Sequence, residues 1–243
     1  MIILSVGMPR AGSGWYYNLT NDLALAAGYR DGREIRKRYH LQSILTEVNC
    51  NIGALTSRRL LMVLVPSLLG NNFVIKAHAG PTPMALRLIR AGQLRPAYIY
   101  RDPRDAMLSA YENGQRALEK GRPNAFSHLT DFDAALDFIL EYVRISQAWM
   151  NVKNALHTCY ERLVSDYDAE SARIEAFLGL DRGDREIQAV LEKYRPESAR
   201  GDQKGMHFST GKSGRFRLKY SPEQQRVLAE RLGTYLTDMG YEI

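Results

Sequence analysis

The chain has 243 residues, 45% of them apolar, enough to bury the core of one large α/β domain. Its net charge of +6 favours anionic partners without choosing among nucleic acid, phosphorylated cofactors and acidic glycans. Two cysteines, Cys50 and Cys159, are too few and too poorly spaced for a disulfide framework or a zinc site.

Met1 to Met8 is apolar, but no basic segment precedes it, and Pro9 and Arg10 cut it short, so a secretory leader is not expected and a reducing cytoplasm is. Ile2 to Val6 reads as a β-branched strand that ends in Gly7, followed by a glycine-punctuated loop and a helix to about Ala27. Arg30 to Arg38 is dense in cations and reads as a solvated helix face. Leu60 to Leu69 is the longest apolar run; at about ten residues it is half what a bilayer crossing needs, and it reads as a buried helix. Short apolar runs at Phe73 to Lys76 and Ala97 to Tyr100 each precede a helical pattern, Thr82 to Ala91 and Pro103 to Lys120. Ala155 to Tyr160 supplies a fourth strand, and helices follow over Asp168 to Leu178, Arg185 to Tyr194 and Ser221 to Asp238. Gly121 to Thr130 and Arg195 to Tyr220 lack periodicity, and the length of the second points to a lid or binding loop. The alternation predicts an α/β fold of three layers, a central parallel sheet flanked by helices, in a single domain over 1–243.

Three segments carry chemistry. The first, Arg10, Ala11, Gly12, Ser13, Gly14 and Trp15, lies between the first strand and the first helix, where glycines let the backbone wrap an anion and free amides add positive potential. Gly7 and Gly12 keep the spacing of a Walker A loop, but Ser13 and Gly14 replace its lysine pair, which disfavours an ordinary ATPase or kinase. In the second, Arg101 ends a parallel strand and so faces the crevice where such sheets bind ligands, with Asp102 and Pro103 suited to open the next helix. In the third, Lys76 and His78 share one face of an extended chain, a pairing of a cation with a group titrating near neutrality that suits proton abstraction beside a departing anion. No metal-ligand cluster is visible.

Pro9-Arg10-Ala11-Gly12-Ser13-Gly14-Trp15 resembles the 5′-phosphosulfate loop of the cytosolic-type sulfotransferases, Pro-Lys-Ser-Gly-Thr-Thr-Trp, with arginine in place of the loop lysine and Gly14 in place of a hydroxyl. Arg101, Asp105 and Ser109 match that family's 3′-phosphate motif in spacing, and Lys76-Ala77-His78 matches its Lys-Thr-His. Tyr160-Glu161-Arg162-Leu163 is similar to its Tyr-Glu-Asp-Leu segment. Ser209 to Arg217 is similar to its late Arg-Lys-Gly-x-x-Gly-x-Trp loop, agreeing at Gly211, Gly214 and the aromatic Phe216.

The resemblance implies a P-loop-like fold that moves a sulfonate from 3′-phosphoadenosine 5′-phosphosulfate (PAPS) to an acceptor hydroxyl or amine, with 3′-phosphoadenosine 5′-phosphate (PAP) as product and no metal. It implies His78 as general base and Lys76 and Arg10 as stabilisers of the leaving phosphate. Arg101 and Ser109 are implied at the 3′-phosphate, Trp15 and Tyr160 at the adenine, and Ser209, Thr210, Gly211 and Lys212 in the loop that closes over the donor. Implied partners are a small-molecule, glycan or lipid acceptor, without nucleic acid or a membrane span; oligomeric state stays open. Two alternatives stand beside this reading: a P-loop phosphoryl transferase, and a non-catalytic nucleotide- or polyanion-binding module.

Overall fold

The computed structural model describes residues 1–198 and 213–243. Four strands, β1 (Ile2–Gly7), β2 (Phe73–Ala77), β3 (Leu94–Tyr100) and β4 (Leu156–Cys159), make one parallel sheet in the order β2-β1-β3-β4. All six residues of β1 are buried, as expected of a central parallel strand covered on both faces, which erases the polar alternation of a half-exposed strand. The path from β1 to β2 runs to one side and β3 is laid on the other, so the connections part between β1 and β3. The ends of these two strands flank the crevice that doubly wound sheets use for ligands. Gly7 pairs with Ile99, so the loop after β1 and Arg101 after β3 leave the sheet side by side.

The helices are α1 (Ser13–Ala26), α2 (Gly32–Arg38), α3 (Ser57–Leu68), α4 (Pro83–Arg90), α5 (Pro103–Glu119), α6 (Phe132–Met150), α7 (Tyr160–Ser165), α8 (Tyr167–Leu178), α9 (Arg185–Lys193), α10 (Phe216–Lys219) and α11 (Pro222–Asp238). Alternate residues of β1 divide the core. Ile2, Leu4 and Val6 pack with Leu60 and Val63 of α3 and with Leu88 of α4, whereas Ile3 packs with Leu19 of α1, Ile174 of α8 and Leu191 of α9. Two helical layers on one sheet is the three-layer arrangement expected. A third cluster joins α5, α6 and α11 through Met107, Ile139 and Leu232.

Local chemistry sets the helix starts. Asp102 accepts from the Arg104 amide at the head of α5, and Ser221 and Gln224 form a reciprocal capping box at the head of α11.

The structure departs from expectation at four places. α6 occupies a stretch to which the sequence reading assigns no element. Its buried stripe, Ala135, Leu136, Ile139, Val143, Ser146 and Trp149, has helical spacing, but Phe132, Phe138, Leu140 and Tyr142 off that stripe blur the period. The expected fourth strand stops at Cys159, the partner of the last residue of β3, and Tyr160 opens a helix. α10 adds one helical turn to the segment read as structureless. The run Leu60 to Leu69 is helical to Leu68, but only one face is buried: Leu61, Val65, Leu68 and Leu69 are exposed.

Candidate active site

The loop after β1 is shaped by close approaches. A Cβ on Gly7 would stand 2.7 Å from Ile99 Cγ2 and 2.9 Å from Ser13 Cβ. Gly12 is left-handed (φ 75°), and a Cβ there would meet the Tyr160 ring at 2.6 Å. Arg10 also has a positive φ, 65°, which costs a non-glycine residue about 1 kcal/mol. The Ala11 amide closes a turn on the Met8 carbonyl, so Ala11 shapes the loop rather than facing outward. Gly12 caps α1 with no side-chain hydrogen bond, and the helix therefore presents its first amides, at Ser13, Gly14 and Trp15, with the positive end of its dipole.

Two depressed cations, Lys76 and Arg10, gather at that loop, with Arg116 and Arg101 acting on Arg10. Lys76 is buried, and desolvation together with the charge of Arg10 pulls its ammonium down to about 8. Arg10 is itself lowered to about 10, first by burial and then by Arg116 and Arg101. Each ion makes the next harder to hold, and an anion of two or more charges would relieve all of them. His78 sits two residues beyond Lys76. Its Nδ1 lies 2.6 Å from the Gly7 carbonyl oxygen, which can only accept, so Nδ1 carries the proton and Nε2 presents a lone pair. Burial and then Lys76 hold the imidazole down to about 4, which keeps it neutral at physiological pH.

The second segment is built differently. Arg101 lies 3.7 Å from Asp105 and 3.9 Å from Glu161, and its guanidinium carbon is 4.5 Å from the centre of the Tyr160 ring. Glu161 accepts from the Asp102 amide and from the Tyr241 hydroxyl, at 3.0 and 3.1 Å. Asp105 also accepts from the amides of Gly214 and Phe216, at 2.6 and 3.1 Å, so this segment is tied to the head of α5. Phe216 is buried with Arg104 4.1 Å over its ring.

The two segments touch. Arg10 Nε donates to Ser109 Oγ at 3.1 Å, and Arg101 donates to the Arg10 carbonyl at 3.3 Å. Tyr160 belongs to both, packed against Gly12 on one side and under Arg101 on the other. Trp15 is buried behind it, edge-on to Tyr160 and stacked on Tyr167, with its indole N–H donated to the Tyr194 carbonyl. Every sequence-predicted site residue from Arg10 to Tyr160 thus lies in one neighbourhood, although Ala11 and Trp15 enter as packing. Ser209, Thr210, Gly211 and Lys212 lie outside the described residues.

Arg116, Glu161 and Tyr241 emerge only in three dimensions. Glu161 stood next to a recognised tyrosine, but nothing in the spacing of Tyr241 links it to a site 80 residues away. Among the described residues no group of three or more potential ligands gathers to hold a metal ion.

A parallel sheet with a glycine loop behind its central strand and a strand-end arginine beside it is the layout of an α/β protein that holds a phosphorylated ligand at the carboxyl ends of its strands. The sulfotransferase domain family model matches residues 2–237, and the chain belongs to that family. No curated protein matches it in sequence. Among solved structures it is similar to mouse sulfotransferase SULT7A1 complexed with PAP, at 16% identity and a TM-score of 0.64, covering 97% of this chain and 84% of that one. It is similar also to retinol dehydratase in complex with androsterone and inactive cofactor PAP, at 20% identity and a TM-score of 0.60, covering 100% and 82%. The protein is therefore a sulfotransferase, and both of those solved structures hold PAP.

Proposed function

We propose that this single domain transfers sulfonate from PAPS to the hydroxyl of a small-molecule, glycan or lipid acceptor by in-line displacement, with His78 as general base. When bound, PAPS supplies an activated sulfonate on a phosphate leaving group. The residues present suit it. The Ser13, Gly14 and Trp15 amides, with Arg10 and Lys76, offer the positive end for the 5′-phosphate, and Arg101 and Ser109 are proposed for the 3′-phosphate. Trp15 and Tyr160 back the adenine end. The chain returning at Gly214 is anchored on Asp105, which supports a closing role for residues 209–212.

His78 Nε2 takes the proton of the acceptor, while Nδ1–H stays on the Gly7 carbonyl and holds the ring in that tautomer. Lys76 and Arg10 offset the charge that grows on the leaving oxygen as the bond to sulfur breaks. Arg10 keeps its proton throughout, so it acts as a fixed charge. Retinol dehydratase is found in complex with androsterone and, in another structure, with retinol, which supports a small apolar alcohol among the acceptors to be tried first. The two cysteines are free, and we place the enzyme in the cytoplasm on that ground; no described helix is long and apolar enough to cross a membrane.

The observation that carries the proposal is contact between the two anion-binding segments through Arg10, Ser109 and Arg101, with the Lys76–His78 pair against the same loop. Calorimetry with PAP and with adenosine 5′-phosphate tests it: a preference for PAP of roughly a hundredfold or more is expected from a charged pair in a partly desolvated site. Equal affinity would remove the 3′-phosphate assignment. A labelled-sulfonate screen across alcohols, phenols, sugars and amines then names the acceptor.

A further inference from the structure

Four of the eight exposed large apolar side chains among the described residues lie on one surface at α3: Leu61 at 48% exposure, Val65 at 52%, Leu68 at 66% and Leu69 at 67%. They recur at spacings of four and three, so they form a continuous outward stripe on a helix whose other face is already spent on Leu60 and Val63 in the core. A solvated helix would carry charge there.

The segment that carries the stripe holds charge of one sign. From Val48 through Arg101 the sequence contains no aspartate or glutamate. Arg58 is exposed one turn before Leu61, and α4, packed beside α3, exposes Arg87 and Arg90. At the far end, Arg38 lies over the Tyr39 ring, and the Tyr39 hydroxyl accepts from Asn71, two residues past Leu69.

We propose that the α3–α4 face is a peripheral docking surface for an anionic lipid bilayer, the leucine stripe entering the headgroup boundary and the flanking arginines engaging acidic headgroups. An apolar stripe beside cations is what interfacial association requires, and here Arg58 continues the stripe by one turn while α4, packed against α3, exposes Arg87 and Arg90. A second copy of the chain suits it less well, since a two-fold contact through this face would bring its arginines against their own counterparts. A polyanionic glycan would satisfy the arginines and leave the leucines in water.

The test uses the full chain without donor or acceptor, so its outcome is independent of the transfer reaction. Co-sedimentation is measured with vesicles of phosphatidylcholine and of phosphatidylcholine mixed with phosphatidylglycerol. At low ionic strength, partitioning into the anionic vesicles is expected to exceed that into the zwitterionic ones by about tenfold or more, and to fall with salt. Both Leu61→Gln/Leu68→Gln and Arg87→Gln/Arg90→Gln are expected to lose about tenfold in binding. Thermal midpoint and circular dichroism should stay unchanged, because these side chains point outward. Should the leucine pair fold poorly, Val65→Ser is expected to weaken binding severalfold on the same readout. The proposal is overturned by no vesicle binding, by equal binding of the leucine variant and the parent, or by a concentration-dependent dimer that the leucine variant abolishes.

Discussion

The two halves of the proposed donor site hold their cations in opposite ways. Around Arg101 every charge has a counter-charge: Asp105 and Glu161 flank it, and Arg104 is paired with Asp102 at 2.8 Å. Around the β1 loop, burial depresses both Arg10 and Lys76, and repulsion adds to it, from Arg116 and Arg101 on Arg10 and from Arg10 on Lys76. One half is balanced before any ligand arrives and serves position and selectivity. The other stores electrostatic strain that an arriving polyanion releases, which is where binding energy can be turned toward the reacting bond.

Breaking the strained half should have the larger effect on chemistry. Replacing His78 with alanine is expected to lower turnover by roughly 10²–10⁴ while leaving PAP affinity, read by calorimetry, nearly unchanged. Lys76→Met should lower kcat by about 10²–10³. The same change should raise stability on the order of 3 kcal/mol at neutral pH, because it removes a charge whose ionisation is held to about 8 against an ordinary value near 10. The sign is specific: the native state binds fewer protons between those values, so the parent gains stability as pH rises from about 8 to about 10, and the methionine variant should lack that rise in denaturant titrations. For the parent, kcat/KM for the donor should climb as His78 deprotonates near 4 and decline as Lys76 loses its proton near 8.

Breaking the balanced half should show first in donor affinity. Asp105→Asn leaves Arg101 without its nearest carboxylate and weakens the anchor of Gly214 and Phe216. A stability loss of about 3 kcal/mol and a raised donor KM are expected, with kcat less affected. The smallest effect belongs to Tyr241→Phe, which removes one hydrogen bond from Glu161: about 1 kcal/mol by thermal unfolding and a severalfold rise in donor KM.

The strained half was largely legible in the sequence, because its parts lie within single short runs: a glycine loop, and a lysine and histidine two apart on a strand. The crossing of the site by Arg10 to reach Ser109 was not, since spacing places Arg10 beside a phosphate loop without saying where a long side chain ends. Asp105 was read as part of a motif, yet its hold on Gly214 and Phe216 joins residues more than a hundred positions apart. Tyr241 lies at the very end of the chain, and only the packing of the segment after α11 carries it to Glu161. The starts of α5 and α11 came through because caps act locally, whereas β3 begins at Leu94, three residues before the expected Ala97, and α6 was missed because aromatic residues on its flank hide the buried period. The outer stripe of α3 has the converse cause, since apolar residues on both faces read as burial when one face meets solvent.

The peptide unit of Gly7 closes β1. Gly7 is wedged against Ile99 and Ser13, and its carbonyl decides which nitrogen of His78 is bare. A methyl group at this position would displace the anchor of the imidazole and the turn into the anion loop in a single movement. In the proposed mechanism, donor grip and proton abstraction therefore hang from one peptide unit, and a substitution at Gly7 is expected to disturb both together.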